Sequence, residues 1–244
     1  MMKKLYSVVT AILLTAAVFG ASAVNASAQA KENKSAASER VRVPLNLAVL
    51  IQDDLVSRVG NELRETGEFI RTLPAGSSVM IAYVRAGSLQ VRQPFTTDLE
   101  AAARALRVPV GSTSASPYNP YVQLRDAVKL FPAGGENHSA VLLVSDGLDT
   151  SRGFNFSDSV NSIDLNRAVR EAKNRGVSVY TFYAPSVGLT SWNGRAVSFG
   201  QSALQRVADE TGGRAFFQGT DFVTFDAYFV RLARTLNEQG GRAY

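Results

Sequence analysis

The sequence of 244 residues contains no cysteine and a single histidine, His138. Without cysteine the chain can form no disulfide bond, no thiolate metal site and no cysteine nucleophile, and a lipid-modified N-terminal cysteine is excluded. A mechanism of the Ser-His-Asp type would have to use His138. Because this residue precedes a predicted strand, we expect it at the opposite end of that strand from the charged loop that follows, on the surface and without a catalytic role.

Motifs for nucleotide and nucleic-acid binding are also missing. The sequence has no G-x-x-x-x-G-K-[ST] loop, no G-x-G-x-x-G after its first predicted strand and no G-x-S-x-G nucleophile elbow. Its net charge of +5 comes from 26 basic and 21 acidic residues, and no basic run is interleaved with aromatic residues. We therefore expect no nucleic-acid partner.

The N-terminus has the pattern of a secretory signal peptide. Lys3 and Lys4 precede an apolar segment rich in small residues at 8–23, and Ala28-Gln29-Ala30 fits a small-x-small cleavage site. Polar residues interrupt the apolar run before it reaches the roughly 20 residues that a membrane helix needs. We predict residues 1–30 as a signal peptide, 31–42 as a flexible leader, 43–238 as one domain and 239–244 as a C-terminal tail. An exported chain without disulfides suits a bacterial periplasm or the extracellular fluid.

The most informative stretch is SAVLLVSDGLDTSRG at residues 139–153. Its apolar run, from Ala140 to Val144, ends abruptly at Ser145-Asp146-Gly147. This pattern predicts a strand buried on both faces in the middle of a parallel sheet, followed by a loop that carries carboxylates and hydroxyls. In open α/β sheets, ligands bind at the carboxyl ends of the strands.

Hydrophobic periodicity in the rest of the chain predicts alternating strands and helices. The predicted strands are 43–51, 78–84, 88–93, 140–144, 177–184 and 214–218. The predicted helices are 56–73, 99–106, 121–131, 163–175, 201–211 and 226–237, with a long loop at 185–200. This order implies a Rossmann-like, three-layer α/β/α fold with a mostly parallel central sheet. The hairpin formed by the second and third strands supplies one antiparallel edge strand.

Five short phrases occur in order along the chain: PLNL at 44–47, LPAGS at 73–77, QPFT at 93–96, LLVSDG at 142–147 and DETGGRAF at 209–216. Taken together, they resemble the von Willebrand factor type A (VWFA) domain and in particular its exported bacterial branch. LLVSDG is the most specific of them, and the last phrase is similar to the A-x-x-T-G-G-x-x-F phrase of many such domains. The resemblance covers residues 43–236 and implies a VWFA fold.

The resemblance also implies a metal-ion-dependent adhesion site at the carboxyl edge of the sheet. Such a site takes Asp-x-Ser-x-Ser from the first loop, a Thr from a second loop and an Asp from a third. A hard divalent cation there keeps a position open for the carboxylate of a partner. Asp146 corresponds to the third-loop Asp. Thr113 resembles the second-loop Thr, with Ser116 and Asn119 as alternatives.

The first loop departs from that pattern. An ungapped alignment places Gln52, Asp54 and Val56 at the Asp, Ser and Ser positions of that pattern. A shift of one residue places Asp53, Leu55 and Ser57 at the same positions. Neither register gives a complete site. Alternatively, the aspartates only accept hydrogen bonds from a helix start or a turn. The predicted ligands of Mg²⁺ or another divalent cation are Asp53, Asp54, Ser57, Thr113 and Asp146.

Aromatic residues in loops at this edge are candidates for contact with a partner. Tyr118 and Tyr121 flank Asn119-Pro120, and Trp192, Phe154 and Phe156 lie in long polar loops. The alternative is that these rings fold back onto the domain. We predict Tyr118, Tyr121, Asp149 and Trp192 as partner-binding residues.

These observations favour an exported, non-enzymatic adhesion module that binds a protein partner through loops 52–57, 111–121, 146–162 and 185–199, with or without an ion. The first alternative is a metal-dependent hydrolase that uses Asp53, Asp54, Asp146 and Asp149, although a chain with one histidine is poorly suited to it. The second alternative is a structural envelope protein without an ion.

Overall fold

The computed structural model describes residues 40–133, 137–153, 161–217 and 224–240. Its strands are β1 (Leu45–Gln52), β2 (Ser78–Arg85), β3 (Ser88–Thr96), β4 (His138–Ser145), β5 (Val177–Tyr183) and β6 (Ala215–Phe216). Its α-helices are α1 (Val59–Arg71), α2 (Leu99–Arg104), α3 (Pro120–Val128), α4 (Ile163–Asn174), α5 (Gly194–Glu210) and α6 (Asp226–Gly240), with 3-10 turns at Thr113–Ala115 and Leu189–Ser191. Within these ranges, no helix combines the length and the apolar composition needed to cross a membrane. The predicted signal peptide, the leader up to Glu39, Phe154 and Phe156 lie outside the described residues.

The strands form one sheet in the order β3-β2-β1-β4-β5-β6. Neighbouring strands are parallel except in the β2–β3 hairpin, which is antiparallel. Strand β4, predicted to be central, lies between β1 and β5, and its residues are buried from Ala140 to Ser145. The predicted α/β fold, with a mostly parallel sheet and one antiparallel edge strand, is confirmed.

The sheet has helices on both faces because successive side chains of its buried strands point in opposite directions. On β1, Leu47 and Val49 belong to the apolar core beneath α1, α2 and α6. The alternate residues Ala48 and Leu50 belong to the core beneath α3, α4 and α5. These two cores make the three layers predicted from the sequence.

The Thr-Gly-Gly phrase after α5 has a packing role. Thr211 Oγ1 accepts a hydrogen bond from the Val179 amide at 3.0 Å and donates to the Val207 carbonyl at 2.8 Å. Gly212 has a φ of 76°. A Cβ at Gly213 would lie 2.0 Å from the Val179 carbonyl oxygen. Glycine at these positions therefore lets the chain turn tightly and bring β6 beside β5.

Helix α5 begins earlier than the sequence predicts. Its first residue is Gly194, whereas the prediction placed residues 185–200 in a loop and began the helix at Gln201. The Asn193 side chain caps the helix by accepting bonds from the amides of Arg195 and Ala196, at 3.1 and 3.2 Å. Glycines within the first two turns have low helix propensity, and they concealed this start in the sequence.

Candidate functional site

A cavity of about 180 Å³ lies at the carboxyl edge of the sheet, where β1, β4 and β5 end. Residues from four loops line its wall, and most of these residues have an oxygen atom in the side chain. The polar residues of the wall include Gln52, Asp54, Thr113, Ser116, Asp146 and Ser186. The cavity lies at the edge of the sheet where the sequence predicts a candidate site.

The end of β1 reaches the cavity through Gln52 and Asp54. Gln52 Nε2 donates to Asp54 Oδ1 at 2.7 Å. Gln52 Oε1 accepts bonds from Ser145 Oγ at 2.5 Å and from the Asp146 amide at 3.2 Å. Gln52 therefore joins the first loop to the third. Gln52 and Asp54, the two first-loop residues that line the cavity, are those that the ungapped alignment places at the first two ligand positions of the Asp-x-Ser-x-Ser pattern.

Asp53 lies outside the cavity wall, in a buried ion pair. Arg107 donates from Nη1 to Asp53 Oδ1 at 2.6 Å and from Nη2 to Oδ2 at 2.9 Å. The Val110 amide also donates to Oδ1 at 3.0 Å, and Arg85 Nη1 lies 3.6 Å from Oδ2. The guanidinium of Arg107 stacks 3.9 Å from the centre of the Tyr83 ring. These contacts give Asp53 a structural role in place of the cation-binding role predicted from the sequence.

The two carboxylates that do share the cavity are Asp54 and Asp146, both buried. Burial and the neighbouring Asp146 raise the pKa of Asp54 from 3.8 to about 6, against hydrogen bonds from Gln52 and Ser116 that lower it. Burial likewise raises the pKa of Asp146. In the described part of the chain, Asp53 takes part in ion pairs, but Asp54 and Asp146 do not. Their negative charge is therefore compensated only by neutral donors.

The contacts of Asp146 fix its orientation. Its Oδ1 accepts a hydrogen bond from the Leu148 amide at 3.1 Å, and its Oδ2 accepts one from Thr190 Oγ1 at 3.4 Å. Gly147, next along the chain, has a φ of 75° that suits glycine. The Ser-Asp-Gly turn thus presents a buried carboxylate at the end of β4.

The second loop brings two hydroxyl groups to the cavity. Thr113 and its alternative Ser116 both line it, and the loop is attached to the β2–β3 turn by a bond from the Ala86 amide to the Ala115 carbonyl at 3.2 Å. Asn119, the other alternative, caps α3 by accepting from the Tyr121 amide at 3.1 Å. Ser57 is exposed and is not among the described residues that line the cavity.

Sequence reasoning missed Ser186, which follows β5. The Val56 amide donates to the Pro185 carbonyl at 3.0 Å, and the Val187 amide donates to the Asp54 carbonyl at 2.9 Å. These bonds pair the first loop with the segment after β5 and place Ser186 in the cavity wall. One feature of the sequence could have identified Ser186 as a site residue: it is a serine just beyond the carboxyl end of a predicted strand.

The predicted partner-binding aromatics divide into exposed and buried residues. Trp192 is 73% exposed and Tyr118 is 52% exposed. Tyr121 is fully buried, and its hydroxyl donates to the Gly147 carbonyl at 2.5 Å. Tyr121 therefore supports the Ser-Asp-Gly turn from inside the domain, and the prediction that it contacts a partner is corrected.

Asp149 connects the starts of two helices. Its Oδ2 accepts bonds from Asn119 Nδ2 at 3.0 Å and from Ser162 Oγ at 2.6 Å, and these two residues cap α3 and α4. Its Oδ1 accepts from the amide and the hydroxyl of Ser151, at 3.1 and 2.7 Å. Asp149 thus orders this loop through contacts within the domain.

The four aspartates of the hydrolase alternative do not converge. Asp54 and Asp146 share the cavity, whereas Asp53 pairs with Arg107 and Asp149 binds the helix caps. Among the described residues there is no group of three or more His, Cys, Asp or Glu side chains placed to hold a metal. The arrangement provides two carboxylates and several hydroxyls.

Comparisons with known proteins support the fold. No protein-family model matches the sequence, and no curated protein matches it significantly. Among solved structures, an aerotolerance-related membrane protein from Bacteroides fragilis NCTC 9343 matches with a TM-score of 0.56 at 10% identity, over 80% of this chain and 99% of that one. BatB from Bacteroides thetaiotaomicron also matches with a TM-score of 0.56, at 9% identity, over 81% of this chain and 99% of that one.

A third match is proximal thread matrix protein 1 from the mussel byssus, whose MIDAS motif is occupied by zinc. It has a TM-score of 0.53 at 12% identity and spans 82% of this chain and 49% of that one. At these identities the likeness is one of fold. The chain has a VWFA-type fold, which confirms the resemblance drawn from the sequence phrases.

Proposed function

We propose that this chain is an exported protein-binding module that engages a carboxylate of its partner through a divalent cation held in the cavity. The observation that carries this proposal is the burial of Asp54 and Asp146 in one cavity without a basic partner among the described residues. Two buried carboxylates are costly unless a positive charge compensates them. The raised pKa of Asp54 reflects that cost.

The side chains of the cavity fit a hard divalent cation. Asp54 and Asp146 would supply the charged ligands, and Thr113 and Ser116 would supply hydroxyl oxygens. Carboxylate and hydroxyl donors suit Mg²⁺, Mn²⁺ or Ca²⁺. The cation, when bound, provides a Lewis-acidic position that accepts the partner's carboxylate. The zinc-occupied MIDAS motif of the mussel protein, which has the same fold, supports this proposal.

The partner would also contact aromatic side chains near the cavity. Tyr118 is adjacent to Pro117, and Trp192 lies three residues beyond Leu189; both Pro117 and Leu189 line the cavity. Exposed tyrosine and tryptophan are the residue types most often found to dominate binding energy at protein interfaces. The two rings would therefore add apolar contacts to the bond made through the cation.

The predicted signal peptide at residues 1–30 supports export of the chain, and an exported module would act in a periplasm or outside the cell. Determining the N-terminal residue of the protein recovered from that compartment tests this part of the proposal. A mature N-terminus at Lys31 is expected. Recovery of the intact N-terminus at Met1 from the cytoplasm would contradict it.

An affinity experiment tests the binding function. The immobilised protein is incubated with envelope proteins in the presence of Mg²⁺ and Mn²⁺, and bound proteins are released with a chelator. We expect a specific partner that is captured by the wild type and by the control Asp126→Asn, which lies on α3 with a 44% exposed side chain. The variant Asp146→Asn should not capture it. Equal capture with and without chelator would contradict a role for the cation.

A further inference from the structure

We infer that Ser186, in the segment after β5, supplies to the cation the hydroxyl oxygen that the first loop lacks at Val56. This inference rests on the proposed function, because it assigns a ligand within the same cavity. In the VWFA pattern the corresponding oxygen comes from the first loop, so this chain would complete its site from a different part of the fold.

The first loop cannot supply this oxygen itself. Val56 has a hydrocarbon side chain, and its backbone amide is already bonded to the Pro185 carbonyl at 3.0 Å. Ser57, the nearest hydroxyl on the same loop, is exposed and is not among the described residues that line the cavity. A hydroxyl ligand at this side of the cavity must therefore come from another segment.

Backbone pairing puts Ser186 at that side of the cavity. Leu55 and Ser186 form an antiparallel bridge, closed by the bonds from the Val56 amide to Pro185 and from the Val187 amide to Asp54. Ser186 is 2% exposed and lines the cavity together with Asp54 and Asp146. The bridge thus fixes a serine beside the segment that, in the family pattern, would carry the ligand.

The hydrogen bonds of Ser186 leave one lone pair of its hydroxyl oxygen available. A serine hydroxyl has one proton and two lone pairs. The Gly188 amide donates to Ser186 Oγ at 3.3 Å and occupies one lone pair.

The Ser186 hydroxyl has two possible acceptors for its proton: Thr190 Oγ1, which lies 3.1 Å from Ser186 Oγ, and the Asp146 carboxylate, with which the Ser186 side chain also forms a hydrogen bond. Thr190 Oγ1 donates its own proton to Asp146 Oδ2 at 3.4 Å and accepts from the Ser186 amide at 2.8 Å. Because the Thr190 proton is bonded to Asp146, Thr190 donates none to Ser186, and the Ser186 proton goes either to Thr190 or to Asp146. The second lone pair of Ser186 remains for a cation in the cavity that this residue lines.

Calorimetric titration of the full protein with Mn²⁺ tests the assignment. We expect Ser186→Ala to weaken Mn²⁺ binding about tenfold or more, in line with losses seen when groups around a metal are removed. The matched control is Ser151→Ala, which removes a loop hydroxyl that bonds to Asp149 and is not among the described residues of the cavity wall. Its Mn²⁺ affinity should equal that of the wild type.

The outcomes separate this inference from the proposed function. If the wild type binds Mn²⁺ and Ser186→Ala binds it equally well, the assignment of Ser186 is overturned while the cation site stands. If the wild type binds no divalent cation, the proposed function and the inference fail together.

A cysteine substitution distinguishes a direct ligand from a residue that only supports Asp146. The chain has no cysteine, so Ser186→Cys introduces its single thiol with little change in volume. Thiolates prefer soft metals. We expect Ser186→Cys to bind Cd²⁺ more tightly than the wild type and to show a thiolate-to-cadmium charge-transfer band in the ultraviolet, whereas Ser151→Cys shows neither. Cd²⁺ binding by folded Ser186→Cys without that band would overturn direct ligation.

Discussion

Arg107 holds both carboxylate oxygens of Asp53, at 2.6 and 2.9 Å, in a bidentate ion pair that is buried on the aspartate side. The same arginine stacks on Tyr83 and precedes the loop that carries Thr113 and Ser116. Two adjacent aspartates therefore have different roles: Asp53 attaches this loop to the sheet, and Asp54 faces the cavity.

Loss of the Arg107 side chain should destabilise the domain. Arg107→Met leaves the Asp53 carboxylate buried without its main partner, and we expect the free energy of unfolding to fall by about 3 kcal/mol. Urea denaturation measures this change. The control Arg71→Met removes an exposed pair with Glu100 and should leave the unfolding free energy close to that of the wild type. Equal stability of Arg107→Met and wild type would contradict the structural role of the pair.

Removal of the Asp54 charge should stabilise the protein when no cation is present. The pKa of Asp54 is about 6 in the folded protein against 3.8 as its ordinary value, so the folded state binds this proton more tightly. The ionised carboxylate therefore costs stability, and the cost develops as the pH rises from about 4 to about 6.

With chelator present, we expect Asp54→Asn to exceed the wild type in unfolding free energy by roughly 3 kcal/mol at pH 7.5. The difference should shrink as the pH falls through 6. Denaturation curves of both proteins across this pH range measure it. A difference that does not depend on pH would show that the burial of Asp54 carries no such cost.

Close packing of α5 on the Ser-Asp-Gly turn should make Gly200 intolerant of substitution. A Cβ at Gly200 would lie 2.0 Å from the Asp146 carbonyl oxygen, whereas one at Gly194 would meet no described atom within 4 Å. We expect Gly200→Ala to lower the unfolding free energy by about 1–3 kcal/mol through overpacking. Gly194→Ala, in the same helix, should be neutral or slightly stabilising. Thermal unfolding compares the two, and similar effects would contradict the close approach.

The two tyrosines that flank Asn119-Pro120 should respond differently to loss of their hydroxyl groups. Tyr121→Phe leaves the buried Gly147 carbonyl without its donor from Tyr121, and we expect a loss of about 1–3 kcal/mol in unfolding free energy. Tyr118→Phe alters an exposed ring and should leave stability unchanged. Chemical denaturation measures both variants. A Tyr121→Phe variant as stable as the wild type would contradict a supporting role for this hydroxyl.

Much of the fold could be predicted because its signals are local. The apolar run of β4 and the helical stripe of α1 fix element types, and the strand-helix order implies the parallel sheet. Asparagine followed by proline is a local signal for a helix start, and α3 begins at Pro120 after the Asn119 cap, one residue before the predicted start. The start of α5 was missed because Gly194 and Gly200 resemble loop residues, although Gly200 is required by the backbone approach to Asp146.

The details of the site depend on contacts between residues distant in the sequence, which local patterns do not contain. The Asp53 side chain is held by Arg107, which lies 54 residues further along the chain. Ser186 reaches the cavity through a bridge to Leu55, and the hydroxyl of the buried Tyr121 finds its partner in the Gly147 carbonyl, 26 residues away. The sequence therefore indicated the edge of the sheet and named Asp54, Thr113 and Asp146, whereas the separate role of Asp53 and the place of Ser186 in the cavity wall required the structure.

The most direct test of the cation site is calorimetric titration of the full protein with Mg²⁺, Mn²⁺ and Ca²⁺, beside the variants Asp146→Asn and Asp126→Asn. We expect one cation per chain to bind the wild type and Asp126→Asn with equal affinity, and no measurable binding to Asp146→Asn. Absence of binding by the wild type, or binding that Asp146→Asn retains in full, would contradict a cation site built on Asp54 and Asp146.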